Sequence, residues 1–514
     1  MGFSQARWFR GDGVLEPTVF EIGRIGEGGT RVAEPEEELI SLLGSLEELI
    51  PSELMRRELK LPGLSEPEVA RHFSRLAQMN YGVDSGPYWL GSCTMKYTPK
   101  LVNRVAEHPS LRGMHPYAPE ELTQGLLSIL HELQEMLAEI TGLPSYTLQP
   151  AAGAQGEFVG ALIIRKRLLD LGEKRDEMII PETAHGSNFA SAAMAGFRVV
   201  RIPPQSDGTL DMGALKAAVS ERTAGMMITN PNTLGIFEDK ILEIAELLHS
   251  NNSYLYYDGA NLNAIMGWVK LSDMGVDVAH LNIHKTFSAP HGGGGPGAGA
   301  VGVTEELSCY LPVPIVVREG GKYKLSYDVP KTIGKVRTFY GNIGVLVKAW
   351  AYLKMLGSLG VRESAAVAVM NANYVRKKLI DMGFETPYGR EKPCKHEFVI
   401  SLAKLRKERG VRALDFAKAL IDKGVHPPTM YFPQIVQECL MIEPTESESL
   451  IELDKYVEAM GEVMRLAYEK PEEVVNSPKR AAVTRVDESF ANKALWLSWK
   501  IYEEKRSDEK LGSQ

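Results

Sequence analysis

The middle of the chain alternates short apolar runs with longer amphipathic segments. Apolar runs of strand length occupy residues 178–180, 226–229 and 254–257, and such runs predict buried strands. Residues 240–249 repeat apolar positions at helical spacing, which predicts an amphipathic helix. Alternating strands and helices indicate an α/β fold with a mainly parallel central sheet covered on both faces. In such a sheet, ligands bind at the carboxyl ends of the strands.

The hydrophobic pattern changes character along the chain and divides it into four parts. Residues 1–80 predict an N-terminal helical arm, and residues 81–345 predict the large α/β domain. Residues 346–475 begin with a long helical pattern and continue with strands and helices, which predicts a smaller α+β domain. Residues 476–514 form a charged C-terminal extension. A chain of 514 residues is too long for one ordinary domain.

Two helices are expected in the arm. Residues 36–50 place leucine and isoleucine at helical spacing, and Pro51 follows them, which predicts one helix that ends there. Ser65 and Glu68 have the spacing of a capping box, so a second helix is expected to begin at this point.

The composition narrows the classes of function. The chain has 66 acidic against 58 basic residues and a net charge of -8, which disfavours nucleic-acid binding. Its apolar runs fall short of the roughly 20 residues that span a bilayer, and its first residues lack a signal-peptide core. The four cysteines are far apart and form no C-x-x-C pair. That spacing argues against a zinc knuckle or a disulfide framework and favours a reducing cytoplasm.

Lys285 carries the strongest chemical signal. It follows His284 at the end of a short apolar run, and four consecutive glycines occupy residues 292–295 just beyond it. Lysine becomes a nucleophile when a partly desolvated site depresses its pKa. Consecutive glycines let the backbone approach a ligand closely. The context therefore predicts a Schiff-base lysine.

A phosphate site and a buried carboxylate are predicted near other strand ends. The small-residue loop at residues 150–158 leads into a helix, whose free N–H groups and positive dipole end suit a phosphate. The alternative is a tight loop needed only for packing. Asp258 follows a predicted strand, where it suits a protonated pyridine nitrogen; the alternative is an N-cap of the next segment.

His185 and Asn232 also follow predicted strands. A histidine with small neighbours can lie flat over an aromatic ring, although a helix cap or a polar loop is the commoner explanation. The amide of Asn232 can donate to a phenolate oxygen, or Asn-Pro-Asn can simply form a turn. All these strand-end residues are compatible with a single pyridoxal phosphate.

Seven segments carry a resemblance to a known family: residues 91–96, 149–157, 185–196, 229–238, 280–297, 339–342 and 443–448. They resemble the P-protein of the glycine cleavage system, and the match covers most of residues 15–470. This family belongs to the fold-type I pyridoxal-phosphate enzymes, which are similar to aspartate aminotransferase. Long P-proteins contain two homologous halves, and this chain resembles the C-terminal half, which carries the lysine.

The resemblance implies a role for each matching residue. Lys285 is expected to form the Schiff base, Asp258 to pair with the pyridinium nitrogen, and His185 to stack on the ring and assist proton transfer. The other implied cofactor contacts are Ala154, Gln155, Asn232, Ala260, Asn282 and His284, of which Asn232 meets the ring oxygen and Ala154, Gln155, Asn282 and His284 hold the phosphate. The residues implied to lie near the substrate or cofactor are Ser92, Cys93, Thr94 and His291.

The resemblance also implies an activity and its partners. The expected reaction decarboxylates glycine, releases CO2 and transfers the aminomethyl group to the lipoyl group of H-protein. A separate subunit 1 is the expected partner, in an α2β2 heterotetramer. One alternative is another fold-type I decarboxylase or aminotransferase, which would need no lipoyl carrier. A second is a non-catalytic scaffold subunit, which the presence of Lys285, Asp258 and His185 disfavours.

Overall fold

The computed structural model describes most of the chain, namely residues 16–25, 33, 35–44, 46–56, 59–289 and 296–512. The chain forms two compact units. The smaller comprises residues 1–81, 421–424 and 476–514, and the larger comprises residues 82–420 and 425–475.

The α-helices are, in chain order, α1 (Val19–Ile22), α2 (Glu37–Leu43), α3 (Leu46–Leu49), α4 (Glu66–Gln78), α5 (Lys100–Ala106), α6 (Pro109–Arg112), α7 (Glu120–Thr141), α8 (Gly153–Asp170), α9 (Gly186–Met194), α10 (Met212–Ala218), α11 (Ile241–Ser250), α12 (Ile283–Thr286), α13 (Ile343–Asp381), α14 (Ala403–Arg409), α15 (Ala413–Asp422), α16 (Leu450–Glu469), α17 (Pro471–Val475), α18 (Glu488–Lys493) and α19 (Trp499–Gly512).

The strands are, in chain order, β1 (Arg24–Ile25), β2 (Pro62–Gly63), β3 (Ser145–Thr147), β4 (Glu177–Pro181), β5 (Arg198–Ile202), β6 (Thr223–Thr229), β7 (Tyr254–Gly259), β8 (Val278–Asn282), β9 (Gly299–Val303), β10 (Ile315–Glu319), β11 (Lys322–Ser326), β12 (Phe398–Ser401), β13 (Thr429–Met430) and β14 (Cys439–Ile442). Short 3-10 helices occupy Leu262–Ala264, Ser272–Met274 and Glu305–Tyr310.

The larger unit is built on a seven-stranded sheet with the order β3-β9-β8-β7-β6-β4-β5. Strands β4 to β8 run parallel to one another, and β9 is antiparallel to both β8 and β3. The registers place Asp258 of β7 between Thr229 of β6 and His280 of β8. The predicted α/β architecture with a mainly parallel sheet is therefore confirmed.

Helices cover both faces of this sheet. Ile179 of β4 and Met226 of β6 pack on one side in a core that includes Leu130 of α7 and Ile244 of α11. Their strand neighbours turn to the other side, where they pack with Ile164 of α8. Because both faces are buried, the middle of each of these strands is a continuous apolar run rather than an alternating pattern.

A second, three-stranded antiparallel sheet has the order β12-β14-β13. Its core contains Phe398, Leu440 and Tyr456 of α16. Helix α13 contributes to this core and to the core of the large sheet, and its non-helical residue Gly357 has φ +62°. The predicted domain boundaries at residues 80, 345 and 475 remain a prediction.

Helix α13 is also the described helix whose length and apolar composition would suffice to cross a membrane. Its side chains Leu353 and Ala365 lie in the large core, and Val375 lies in the core of the three-stranded sheet. The helix thus has the packing of a core helix.

The arm differs from the prediction at one point. The helix expected over residues 36–50 is two short helices, α2 and α3, separated at Gly44, where φ is +76°. Glycine populates this left-handed region without steric cost and ends helices there. The predicted capping box of α4 is present, and the N–H of Ser65 donates to the Glu68 carboxylate at 2.7 Å.

Candidate active site

Asp258 lies at the carboxyl end of β7 and is fully buried. Its carboxylate accepts hydrogen bonds from the Ala260 N–H at 2.9 Å, the Asn188 amide at 2.9 Å and the Thr229 hydroxyl at 3.0 Å. Nε2 of His280 on the neighbouring strand lies 3.3 Å from Oδ1. Asp258 is not the N-cap of the next helical segment, since Asn261 holds that position; it lies in a polar cluster and also binds the Ala260 N–H.

These contacts determine the charge of the cluster. Burial opposes the ionisation of Asp258, but the surrounding donors and the nearby His280, His185 and Lys285 hold the pKa of its carboxyl below the ordinary value. Burial lowers the pKa of His280 to about 4, and its Nδ1 lies 2.6 Å from the Tyr256 hydroxyl. At neutral pH the cluster therefore holds a carboxylate beside a neutral imidazole, which suits a ligand that brings a positive charge.

Lys285 lies on the short helix α12, directly after β8. The expected placement on strands adjacent to Asp258 is found, because β7 and β8 pair in parallel. Nζ of Lys285 forms no hydrogen bond or ion pair with the described residues. The charge of Lys285 acts on the pKa values of eight groups: Cys93, Glu157, His185, Asp258, His280, His396, Glu397 and Glu443. Its amine is thus available at the centre of a polar site.

The loop at residues 150–158 ends in the uncapped N-terminus of α8. No side chain caps this helix, and its first backbone hydrogen bond runs from the Gly156 N–H to the Ala152 carbonyl. A Cβ on Gly153 would lie 1.7 Å from Oδ1 of Asn282 at the end of β8. Only glycine permits this close approach, which brings free N–H groups next to α12 and suits an anionic group.

The residues predicted to hold the phosphate lie around this helix N-terminus. They differ in which of their atoms are free to bind an anion. The Gln155 side chain accepts from the Ala151 N–H at 2.7 Å and donates to the Val336 carbonyl at 2.9 Å, so it shapes the loop. Gln155 and Ala154 therefore offer their main-chain N–H groups. His284 is buried, with Nδ1 3.0 Å from the Ala298 carbonyl.

His185 is the N-cap of α9, and its ring accepts a hydrogen bond from the Ser187 N–H at 3.3 Å. The helix-capping interpretation is thus found. His185 also lies beside Asp258 and Lys285, whose charges act on the pKa of its imidazole. Burial lowers that pKa. The Phe432 ring lies 5.3 Å from the imidazole, tilted by 58°.

Asn232 requires a correction. Its amide donates both hydrogens within the protein, to the Gly208 carbonyl at 3.0 Å and to the Glu238 carboxyl at 2.8 Å. Its oxygen accepts from the N–H groups of Leu234 and Ile236. The turn interpretation therefore describes this residue, and no donor remains for a ring oxygen.

The segment around Cys93 joins the site through two buried glutamates that the sequence did not reveal. Ser92 (φ +63°) donates its N–H to Glu397 at 2.6 Å, and Thr94 (φ +47°) donates its N–H and hydroxyl to Glu443 at 2.9 and 2.6 Å. Burial raises the pKa of Cys93, against the effect of Lys285. The predicted segment is therefore held by carboxyl groups next to the lysine.

Those two glutamates form a cluster with His396. One ligand atom from each of the three lies within 4.8 Å of the others, which is a spacing that could also hold a cation. Burial raises the pKa of Glu443 to about 7 and lowers that of His396 to about 3. Neither ring nitrogen of His396 has a hydrogen-bond partner among the described residues. His396 and Glu397 directly precede the apolar strand β12. A polar pair beside an apolar strand was the one sequence signal that could have indicated this cluster.

His291 and the glycines at residues 292–295 lie outside the described residues. Their predicted place beside the substrate stays a prediction.

Comparisons with known proteins agree on one family. The family described as "Glycine cleavage system P-protein" matches residues 35–320, and "Glycine dehydrogenase, C-terminal domain" matches residues 364–481. A Pyrococcus furiosus protein named "Probable glycine dehydrogenase (decarboxylating) subunit 2" is 54% identical over 507 residues, which cover 98% of each chain. The chain belongs to the glycine cleavage system P-protein family.

Further relatives extend this family assignment. A Halalkalibacterium halodurans protein with the same name is 49% identical over 475 residues, covering 92% of this chain and 96% of its own. The fold is similar to a crystal structure of glycine decarboxylase (P-protein) in inhibitor-bound form, with a TM-score of 0.70, 22% identity and coverage of 84% of this chain and 100% of that one. Glutamate decarboxylase of Lactobacillus brevis has the same fold at a TM-score of 0.62 and 16% identity, with coverage of 84% and 99%. The predicted fold-type I class is therefore confirmed.

The P-protein family and this fold imply pyridoxal phosphate as the cofactor, and the site fits it. Asp258 offers a buried carboxylate and Lys285 an amine without a partner in the described chain. Gly153 leaves the space in which the α8 N-terminus and Asn282 meet, and any larger residue would fill it. Asp258, Lys285 and the N-terminus of α8 thus suit a cation, a carbonyl carbon and a phosphate, respectively.

Proposed function

We propose that this chain is the lysine-bearing subunit of a two-subunit glycine decarboxylase that uses pyridoxal phosphate. The observation that carries the proposal is the pairing of Lys285 and Asp258 at adjacent strand ends, the first without a partner in the described chain and the second buried and ionised. The family assignment supports glycine as the substrate and the lipoyl group of H-protein as the acceptor. The overall result is release of CO2 and transfer of the aminomethyl group.

The residues of the chain divide the work. Lys285 would hold the cofactor through its amine, which has no partner in the described chain and would leave room for the amine of glycine. Asp258 keeps the pyridine nitrogen protonated because its negative charge stabilises the cation. Bound pyridoxal phosphate supplies an electron sink for the electron pair left by CO2. The N–H groups of Ala154 and Gln155, with Asn282, hold the phosphate.

The substrate side of the site is formed by Cys93 and by Glu397, Glu443 and His396. Glu397, Glu443 and His396 are fully buried and Cys93 is half-buried, so a molecule that enters beside them loses water. Electrostatic effects on a reacting group are stronger in such surroundings. The glutamates act on the segment of residues 92–94 through backbone and hydroxyl hydrogen bonds, and thereby position Cys93.

The partner proposal is a subunit 1 that together with this chain forms an α2β2 assembly. Helix α2 has four large apolar side chains, Leu39, Ile40, Leu42 and Leu43, and they are 47–79% exposed. A continuous apolar surface of this kind marks an interaction site. We assign it to subunit 1 because the relatives are named as one subunit of an enzyme.

The four cysteines are all unpaired, which suits a reducing cytoplasm.

The test is glycine–bicarbonate exchange by the purified chain with subunit 1 and lipoylated H-protein. Exchange is expected with all three components and not when any one is left out. Borohydride reduction of the cofactor-loaded protein should attach the cofactor at Lys285. Lys285→Ala should abolish both attachment and exchange, whereas Lys100→Ala, which removes an exposed lysine, should abolish neither. Exchange that needs no H-protein and no subunit 1 would instead support another fold-type I decarboxylase.

A further inference from the structure

His185 ends a chain of three polar side chains that runs into the protein interior. Its Nδ1 lies 2.5 Å from Oγ of Ser187, and that Oγ lies 2.8 Å from Oε1 of Glu157. Glu157 is 3% exposed, and its second oxygen accepts a hydrogen bond from Ser191 at 3.3 Å. Glu157 comes from α8, and both serines come from α9. The packing of these two helices therefore builds the chain.

The backbone of Ser187 determines the direction of the hydrogen bonds along this chain. Its N–H donates to Nδ1 of His185 at 3.3 Å. A backbone N–H can only donate, so Nδ1 is an acceptor and the proton of the neutral ring lies on Nε2. The Ser187 hydroxyl then donates to the same Nδ1. Because it has a single proton, its oxygen accepts from Glu157, which must carry a proton to donate.

The surroundings of Glu157 independently favour the protonated form. A carboxyl oxygen of Glu157 and one of Asp258 lie within 4.8 Å of each other, and both residues are buried. Two ionised carboxylates at that separation repel each other, so one of them keeps a proton. Asp258 has three hydrogen-bond donors that stabilise its charge. Burial and the charge of Asp258 raise the pKa of Glu157 to about 8.

We infer that Glu157 is a positioning residue that holds His185 in the Nε2–H tautomer through the hydroxyl of Ser187. Nε2 of His185 forms no hydrogen bond with the described residues. The Nε2–H is therefore the donor that the ring presents to a bound molecule. In the reaction, and here the inference rests on the proposed function, His185 acts as a neutral hydrogen-bond donor and Asp258 alone carries the negative charge.

The experiment is nitrogen NMR of the full-length chain labelled with [15N]histidine and measured near neutral pH without glycine or cofactor. The His185 signals are assigned by their loss in His185→Gln. The wild-type protein is expected to have an acceptor-type Nδ1 and a protonated Nε2. Glu157→Gln should retain this pattern, because its amide is neutral and still donates to Ser187. In Glu157→Leu and Ser187→Ala the Ser187 backbone N–H, 3.3 Å from Nδ1, remains, but the hydroxyl no longer acts as a second, fixed donor. These variants should therefore lose the single tautomer and give a mixture of tautomers.

The controls separate this effect from a general change of structure. Glu238→Gln alters another buried glutamate, bonded to Asn232 and the Leu210 N–H, and should leave His185 unchanged. The signals of the ten other histidines report on folding. If those signals shift in Glu157→Leu, that variant has changed its structure, and the result for Ser187→Ala then tests the inference. A proton on Nδ1 in the wild type overturns the inference, as does a His185 pattern unchanged in the deciding variant. Since no substrate is present, failure of glycine exchange is a separate result.

Discussion

Nζ of Lys96 lies 2.5 Å from Oε1 of Glu446, and the lysine side chain is 2% exposed. The same ammonium group donates to the Thr286 carbonyl and to Oδ1 of Asn263, each at 2.8 Å. Burial alone would lower the pKa of Lys96, but Glu446 and Tyr352 raise it above the ordinary value. The buried Lys96 ammonium group therefore holds in place α12, the helical turn that carries both Lys285 and Thr286.

Replacing Lys96 by methionine should destabilise the protein. The change leaves Glu446 and the Thr286 carbonyl without their partner, and breaking a buried ion pair in this way costs about 3–5 kcal/mol. The measurement is the urea-unfolding transition of the full chain. Lys100→Met is the matched control, because the Lys100–Asp84 pair is 58% and 61% exposed and such a pair contributes less than about 1 kcal/mol. Equal shifts in the two variants would contradict the structural role.

Gly153→Ala should weaken binding of pyridoxal phosphate. The new Cβ would meet Oδ1 of Asn282 at 1.7 Å, so the α8 N-terminus must move away from the end of β8. We expect at least a tenfold rise in the Kd of the cofactor, or about 1.4 kcal/mol, in a titration followed by absorbance. Gly125→Ala in α7 is the control: nothing lies within 4 Å of its Cβ. Its cofactor affinity should equal that of the wild type.

His396 should make the protein less stable in acid. Burial lowers its folded pKa to about 3, below the ordinary value of 6.5. Between these values the unfolded chain binds a proton that the folded chain does not, so stability falls as the pH falls below about 6.5. His396→Gln removes one proton from this difference and should flatten the slope of unfolding free energy against pH by up to about 1.4 kcal/mol per pH unit.

His249 offers a control of opposite sign for the same titration. Its hydrogen bond with Asp277 raises its pKa above the ordinary value. Such a group adds stability at pH below the unfolded pKa and loses it as the pH rises through the folded pKa. His249→Gln should therefore remove a contribution that grows in acid. An unaltered slope in His396→Gln would show that His396 does not stay neutral in the folded protein.

Leu42→Glu should weaken assembly with subunit 1. Leu42 is 79% exposed on α2, and burial of a leucine at an interface contributes about 1.5–3 kcal/mol. The fraction of complex at equal concentrations is measured by analytical ultracentrifugation, with Leu242→Glu on α11, 62% exposed, as the control. Loss of a complex between copies of this chain, with subunit 1 still bound, would assign the surface to self-association instead.

Three strands of the large sheet and helix α11 were readable from the sequence, because burial on both faces makes the middle of a strand a continuous apolar run. The runs at residues 178–180, 226–229 and 254–257 correspond to β4, β6 and β7. The helix over residues 36–50 was wrong because apolar spacing does not register a backbone turn such as that at Gly44.

The candidate site was predictable to a different degree for each residue. Lys285 follows β8 and Asp258 lies at the carboxyl end of β7, and strand ends are recognisable locally. The direction of a side chain is not recognisable locally. The amide of Asn232 is satisfied by three groups of its own loop and by the Gly208 carbonyl from another segment. Polar residues inside or beside apolar segments, such as His280 and Glu397, gain a meaning only when their neighbours are known.

The sequence by itself determined the family, the parallel sheet and the lysine, since these depend on local patterns and on motifs read along the chain. Only the tertiary structure decided which charges meet. Glu397 and Glu443 lie more than 300 positions from Ser92 and Thr94, and Glu157 reaches Asp258 across the packing of α8 on the sheet. Electrostatic interactions depend on distance and burial in space, and neither quantity is written in the order of residues.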